Sequence, residues 1–567
     1  MKRRTILRII FWFLAILVVV VAAIFTTGYF YYSKIIRRYI IETVAAESKG
    51  MYRAGIGNLS LNVIDGDLTI DRFSLLPDTT LYLAHAGNDS LTPLLIKMTL
   101  NQFRIRGFRL AEVLRHRRVD VTRIRFINPE VTVLRMRMPP EAKKEKRESA
   151  MLSIPLPKGL NAIHVGEFII ENARVAFVDY SGDSVSRNSF PSCNVFIRNI
   201  LVDSVHQGKK RLFNADDIRV TVGAWSVPMK NGMNRISFSE AGLSTGSGEI
   251  WLNDFHLEPL FKKQDYAPKM GFQTDWVDVR LKKLVARRLN MRALLFEGRL
   301  KAGLVEADSL DLQDYRDKRV ADRPGFKPPM PQDAMRKLKM NLRIDTLQLN
   351  SGRAVYEEQT GAVPGRIFFN GFRVTFTGIT NDSLLLQAGL VSELRGTAYL
   401  MGKGKLDATV RFHLGDPRNS FTFSAQIGQM DLDEINPMLS NLLPAKVVNG
   451  RLKKLLVPQV YANDDYAQGK LLFYYNDLSV EVKARKETTW EKIKTGVINF
   501  AANDLIINND NPTKTGKMKT GIICFKRDKH GSIFNFFWKS VLSGLKSTMG
   551  FNSKAQKELI KAEKAKK

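Results

Sequence analysis

From about residue 55 onward this chain repeats apolar residues at every second position, and that period limits what it can fold into. Ile96, Met98 and Leu100 alternate with polar or charged neighbours. So do Met340, Leu342 and Ile344, then Ala408, Val410, Phe412 and Leu414, then Phe421, Phe423, Ala425 and Ile427. Successive side chains of a strand point to opposite faces, so alternation gives each strand one apolar face. Turn residues recur between the runs: Asp65-Gly66, Ser181-Gly182-Asp183, Ser351-Gly352 and Gly402-Lys403-Gly404. The simplest fold is mostly β, as continuous antiparallel sheet.

The first residues follow a different rule. Ile9 to Ser33 carry no charge, a length sufficient to cross a bilayer as a helix. Trp12 stands near one end and Tyr29, Tyr31 and Tyr32 near the other, as in the aromatic belts of membrane spans. A cleaved signal usually has a shorter apolar run and a small-residue cleavage site, so we expect an uncleaved transmembrane helix over 9–33 behind a cytoplasmic stub, 1–8. Lys2, Arg3, Arg4 and Arg8 precede the span and Lys34, Arg37 and Arg38 follow it, which leans only slightly towards a cytoplasmic N-terminus. Nothing later is long and apolar enough to span, so the remainder lies on one side. Ile36, Tyr39, Ile40 and Val44 have helical spacing and predict a connector helix within 34–54.

Two segments rich in proline and charge interrupt the strands: Pro139–Pro157 and Asp322–Asp333. Both read as exposed, mobile linkers. They divide the chain into β blocks at 55–138, 161–321 and 336–532, with linkers at 139–160 and 322–335. A weak internal repeat runs through the blocks. Residues 121–135, 165–179 and 344–358 each hold two alternating apolar residues, a polar turn and a second strand. The pairs are Ile124 and Phe126, Phe168 and Ile170, Leu347 and Leu349. The turns are Asn128-Pro129, Asn172-Ala173 and Ser351-Gly352. An array of ordinary hairpins would look similar.

The tail, 533–567, returns to helical spacing. Phe534, Phe537, Trp538, Val541, Leu545 and Met549 fall on one face, with Lys539, Ser543, Lys546 and Ser547 opposite, and a lysine-rich end follows. Two readings stand side by side: an amphipathic helix in an anionic membrane interface, or a helix that caps the end of the sheet.

A net charge of +31 favours a polyanionic partner, such as an anionic membrane surface or nucleic acid. No helix-turn-helix, zinc finger or aromatic RNA-binding motif accompanies it, so no nucleic acid is expected. Cys193 and Cys524 form no CxxC pair; one disulfide and two free buried thiols both remain open. The seven histidines have no metal-ligand spacing. Gly242-Leu243-Ser244-Thr245-Gly246 fits GxSxG, but that motif needs a helix after the serine, and residues 248–254 read as a strand. A hairpin turn is the better reading. Asp308, Asp311 and Asp314 lack the glycine and glutamate of a calcium loop and read as polar positions around a turn. No catalytic constellation, metal or cofactor is expected.

Certain longer segments resemble a known family. Residues 121–131 (VTRIRFINPEV), 421–457 and 469–483 carry the likeness, through Asp431-Leu432, Asn436-Pro437, Asn449-Gly450-Arg451-Leu452 and Tyr475-Asn476-Asp477-Leu478. With the N-terminal anchor, this order is similar to the AsmA-like proteins of Gram-negative envelopes, best over 400–485. The N-terminal part and the first linker depart from the pattern. The resemblance implies an inner-membrane anchor, a periplasmic body and a long curled antiparallel sheet with an apolar groove. It further implies a non-enzymatic protein that moves phospholipid, or another acyl-chain lipid, towards the outer membrane. Groove candidates are then Ile124, Phe126, Phe168, Ile170, Val175, Phe177, Leu347, Leu349, Phe421 and Phe423, and the C-terminal helix would meet the outer membrane or an envelope protein. A curled sheet without a second layer leaves such a trough, and each buried methylene of an acyl chain gains roughly 0.8 kcal/mol. The alternatives are a dry sandwich, a scaffold that binds outer-membrane proteins through sheet edges, and a hydrolase using Ser244.

Overall fold

The computed structural model describes residues 33–62, 64–84, 94–136, 160–181, 185–203, 214–442, 445–482, 509–549 and 552–565. The expected stub, the expected span up to Ser33 and the first linker up to Leu160 lie outside them. None of the described helices is long and apolar enough to cross a membrane. The described residues hold 25 strands and are mostly β, as the alternation requires. They form two compact units. One takes in the described residues up to Trp225 together with Phe238–Leu252; the other takes in Ser226–Ser237 and the described residues from Asn253 onward.

The first unit opens with helix α1 (Ser33–Glu47), whose Ile40 and Val44 pack on the core as their spacing predicts. Its strands are β1 (Tyr52–Ile56), β2 (Leu59–Asn62), β3 (Asp67–Pro77), β4 (Leu94–Arg106), β5 (Arg118–Ile127), β6 (Glu130–Arg135), β7 (Ala162–Asp179), β8 (Ser186–Asp203) and β9 (Asp217–Val222). Of the strands that follow, β12 (Glu240–Ser244) belongs to this unit, β10 (Trp225–Pro228) and β11 (Asn234–Phe238) fall almost wholly in the second, and β13 (Glu249–Pro259) begins in the first and ends in the second. β1 and β2 pair with β3, and the sheet continues through β4, then β5 with β6, then β7, β8, β9 and β12.

β5 and β6 are not the two arms of a hairpin. Both run antiparallel to β4 and parallel to β7, in one unbroken register. Asn128-Pro129 is therefore a kink inside one long strand, with Asn128 in the left-handed region at φ 50°. β7 is kinked at Asn172, φ 51°. The expected strand–turn–strand repeat is thus a repeat of kinked strands. Phe126 and Val131 are five positions apart, an odd step that strict alternation would send to opposite faces. The left-handed residue resets the alternation, and Val131 packs on the same core as Ile124 and Phe126.

The second unit contains β14 (Asp275–Arg287), β15 (Arg299–Asp317), β16 (Asn341–Leu349), β17 (Gly352–Gln359), β18 (Gly365–Thr380), β19 (Val391–Leu400), β20 (Gly404–His413), β21 (Phe421–Ile427), β22 (Met430–Asp431), β23 (Ala445–Ala462), β24 (Tyr466–Val482) and β25 (Thr520–Lys526). The kink recurs: β16 and β17 both pair antiparallel with β18 and parallel with β15, which carries Ser309 at φ 56°.

Each unit therefore holds a parallel pairing, where wholly antiparallel sheet was expected. Parallel neighbours cannot be joined by a tight turn; they need a crossover of about a dozen residues or more. The two proline-rich segments supply those connections, β6 to β7 and β15 to β16, rather than separating blocks of sheet. The second is also not loose. It contains helix α2 (Pro331–Arg336), Met330 and Gln332 are buried, and the Gln332 amide donates to the Asn419 carbonyl at 3.0 Å.

Helix α3 (Ile533–Thr548) closes the far end of this unit, followed by α4 (Lys554–Ala565). Ser532 caps α3 by accepting from the Asn535 amide. Gly544 lets α3 approach the sheet; a Cβ there would stand 2.7 Å from Ile523.

Candidate functional site

Directly opposed residues on paired strands share a face of the sheet. In the first unit one such row reads Leu59, Ile70, Phe103, Phe126, Ile170, Val195, Val220, Leu243, with every member apolar. The next row on that face reads Leu61, Leu68, Ile105, Ile124, Phe168, Ile197, Ile218. The opposite face is charged: Arg106, Arg123, Glu167, Arg198, Asp217. The second unit repeats the arrangement. Leu347, Phe376, Leu394, Val410, Phe423 and Val460 form one apolar row across β16, β18, β19, β20, β21 and β23.

These stripes run across the strands, and only part of each is fully buried. In the first unit Ile70, Phe103 and Phe126 are buried, whereas Leu59 on one side and Ile170, Val195, Val220 and Leu243 on the other are half-buried. In the second Val460, Phe423 and Val410 are buried, and Leu394, Phe376 and Leu347 are half-buried. In the first unit the rings of Phe103, Phe126 and Phe168, 4.9 and 5.5 Å apart in succession, belong to the core on which Ile40 and Val44 of α1 pack. In the second, helix α3 closes the stripe, with the Phe537 ring 5.3 Å from Phe421 and 4.9 Å from Phe423.

The ten groove candidates divide accordingly. Ile124, Phe126, Phe168, Leu349, Phe421 and Phe423 are core residues, sealed by neighbouring strands or by α3. Ile170, Val175, Phe177 and Leu347 are half-buried. The C-terminal helix is turned onto the sheet: Phe537, Val541 and Leu545 pack against the core that contains Phe421 and Phe423, and Phe536 is buried there too. Trp538 and Met549 are half-buried, and Phe534 is exposed at one edge while touching Tyr356 and Phe369. The opposite face is not free either: Ser547 is buried and accepts from the Ile522 amide at 3.0 Å, the Gln556 amide donates to the Ser543 carbonyl at 3.1 Å, and Lys539 and Lys546 are half-buried.

A trough of about 920 Å³ crosses the second unit, lined by two polar rows together with Leu349, Val374, Leu456, Val457 and Pro458. The two rows, of the other parity, are Thr375–Arg395–Thr409–Ser424 and Arg373–Thr397–Asp407–Gln426. Its floor is the backbone of Gly396, Ala408 and Ala425 between them. The concavity thus lies on the polar face, and the half-covered apolar stripe lies behind it.

A second cavity, about 240 Å³, lies beside the apolar stripe of the second unit. It is lined by Asp275, Asp314 and Arg316 from β14 and β15, Tyr356 from β17, and Asp528, Asn535 and Lys539 around the start of α3. Asp314 occupies an apolar row, Val277–Asp314–Tyr356–Ile367. Burial pushes its carboxyl up to about 7, and the nearby Asp275 adds to this while Arg316 opposes it. Burial also raises Asp275, against the pull of Arg316 at 3.3 Å, and raises the Tyr356 hydroxyl, which donates to Glu358 at 2.7 Å.

Asp308, Asp311 and Asp314 therefore all lie within β15, three residues apart, and not around a turn. Counting parity from Leu310 and Leu312, past the kink at Ser309, would have placed Asp314 on the apolar face. Ser244 ends β12 without a following helix; it is buried and its hydroxyl donates to Asp217 at 2.8 Å. Cys193 and Cys524 are free thiols, both raised by burial. No cluster of metal-ligating side chains occurs among the described residues. Comparison with protein-family models and with curated proteins yields no match.

Proposed function

We propose that this chain is a membrane-anchored, periplasmic lipid-handling protein, similar to the AsmA-like proteins, that holds or moves phospholipid along the apolar face of its sheet. The observation that carries this reading is the pair of apolar stripes that cross many strands in register and are fully buried over only part of their length. Apolar rows left partly exposed over several strands are unfavourable unless something apolar lies on them. An acyl chain laid across the strands would meet an uninterrupted series of aliphatic and aromatic side chains. Such a function needs no catalytic group, only continuity of the stripe. The uncharged segment 9–33 supplies the anchor, and the net charge of +31 suits an anionic membrane surface.

The test is lipid content. Full-length protein extracted from membranes in mild detergent and passed through size exclusion should retain phospholipid, measured by mass spectrometry. Replacing Phe376 and Leu394 by aspartate should lower that content severalfold without unfolding the protein. Protein that retains no lipid above a control membrane protein of equal size contradicts the reading.

A further inference from the structure

Two contacts fix the direction of α1 in the first unit. Ser48, just past its end, accepts from the Tyr52 amide at the start of β1, and the Arg37 guanidinium, near its beginning, donates to the Ile56 carbonyl at the end of β1. α1 therefore runs against β1 and β2, and its start lies towards the turn that joins β2 to β3. β4 ends and β5 begins at this same end, since Leu68 opposes Ile105 and Arg106 opposes Arg123. A short helix, Leu110–His116, connects them.

Two apolar side chains on this rim face water. Ile64, in the β2–β3 turn, is 97% exposed, and Leu114 of the short helix is 68% exposed. Both are held in place. The Asn62 side chain accepts from the Ile64 and Asp65 amides at 3.1 and 3.2 Å, and the Phe108 amide donates to the Gly66 carbonyl at 2.9 Å, which ties the turn to the segment entering the helix. Leu110 and Val113 pack on the core, and that turns Leu114 outward. Single exposed apolar residues need no explanation; the charge around these two sets them apart. Arg106, Arg109, Arg115 and Arg117 are exposed. Arg109 reaches Asp120 only at 4.0 Å, and the other three form no ion pair among the described residues. The nearby acids are engaged: Glu112 faces His116 at 3.2 Å, Asp120 lies between Arg118 and His164 at 3.6 and 3.3 Å, and Asp65 accepts from the Asn62 amide group at 2.6 Å.

We propose that this rim rests on the anionic surface of the membrane that holds the anchor, with Ile64 and Leu114 entering the headgroup boundary and Arg106, Arg115 and Arg117 meeting lipid phosphates. The sequence that precedes α1 names the occupant: the uncharged segment 9–33 ends at Ser33, the residue with which α1 begins, and α1 begins on this side of the unit. Apolar side chains set among cations suit that boundary, where the apolar groups reach the acyl region and the cations stay with phosphate. The inference rests on the reading of 9–33 as an anchor and adds a second membrane contact, made by the sheet body itself.

The experiment reconstitutes full-length protein into phosphatidylcholine liposomes, with or without phosphatidylglycerol as a third of the lipid, and checks the anchor by flotation. In a Cys193→Ser, Cys524→Ser background an environment-sensitive fluorophore is attached through Ile64→Cys, Leu114→Cys or Val185→Cys; Val185 is exposed at the opposite end of β7 and β8. Lipid spin-labelled high on its acyl chain should quench the fluorophore at 64 and 114 severalfold more than at 185 when phosphatidylglycerol is present. Arg115→Glu combined with Arg117→Glu should remove most of that difference and leave the melting curve unchanged. Equal quenching at all three positions in protein that floats would overturn the docking rim and leave the anchor and the lipid-handling reading standing, whereas protein that does not float would overturn the anchor as well. A difference that persists without phosphatidylglycerol, or survives the two glutamates, would overturn the role given to the arginines. Absence of quenching at 64 and 114, with protein adducts on photo-cross-linking at those positions in cells, would overturn the membrane assignment in favour of a protein partner.

Discussion

Asn128 and Asn172 lie side by side in parallel strands, the Asn172 amide donating to the Asn128 side-chain oxygen across 3.1 Å. Both residues have left-handed backbone. In the second unit Asp308 and Asn350 repeat the contact at 2.8 Å, one residue before Ser309 and Ser351. The kinks are therefore stacked through the parallel pair, and they keep the apolar stripe on one face across an odd step in sequence.

If the kink serves that purpose, its cost should depend on φ rather than on side-chain volume. Asn128→Val forces a β-branched residue to positive φ and should destabilise the first unit by about 1–3 kcal/mol. Asn128→Gly loses the side-chain bond but no backbone freedom and should cost about 1 kcal/mol or less. Denaturant midpoints of the two variants decide it; equal effects would mean that the contact, not the backbone, matters.

Helix α3 is expected to behave as core. Phe537→Ala opens a cavity against Phe421 and Phe423 and should cost roughly 3 kcal/mol. Phe534→Ala, at the exposed edge, should cost about 1 kcal/mol through its lost ring contacts. Thermal unfolding of the two variants in detergent without lipid is the check, because a membrane-facing helix would leave both near wild type.

Asp314 gives a signed pH effect. Its folded-state carboxyl sits near 7, above the usual carboxylate value, so between about pH 4 and 7 the folded chain holds a proton that the unfolded chain has released. Stability contributed by this group is present at low pH and is lost as pH rises through that window. Asp314→Asn should therefore raise the melting temperature above pH 7, with the gain shrinking towards pH 4. A gain independent of pH would contradict the burial argument.

Much of the fold is legible in the alternation itself. Runs such as 408–414 and 421–427 name their strands, and the helical spacing at Ile40 and Val44 names α1. The kinks misled because Asn-Pro and Ser-Gly are also good hairpin turns, and local sequence cannot tell whether the chain reverses or continues. The parallel pairs hid for the same reason: the crossover segments look like linkers until the strands on either side are seen to pair. The apolar stripe of α3 shows that something apolar lies against it, but periodicity does not say whether that is lipid or Phe421. Asp314 shares its face with Leu310 and Leu312, a run of period two that is too short, so close after the kink at Ser309, to stand out in the alternation.

The most direct test of the central claim is site-specific photo-cross-linking in intact cells at consecutive positions of β18. Val374 and Phe376 stand on the half-covered apolar face, and Thr375 and Thr377 on the polar face. Phospholipid adducts at 374 and 376, and none at 375 and 377, are the predicted result. Adducts at neither parity in folded protein, or at both equally, would contradict a lipid-bearing stripe.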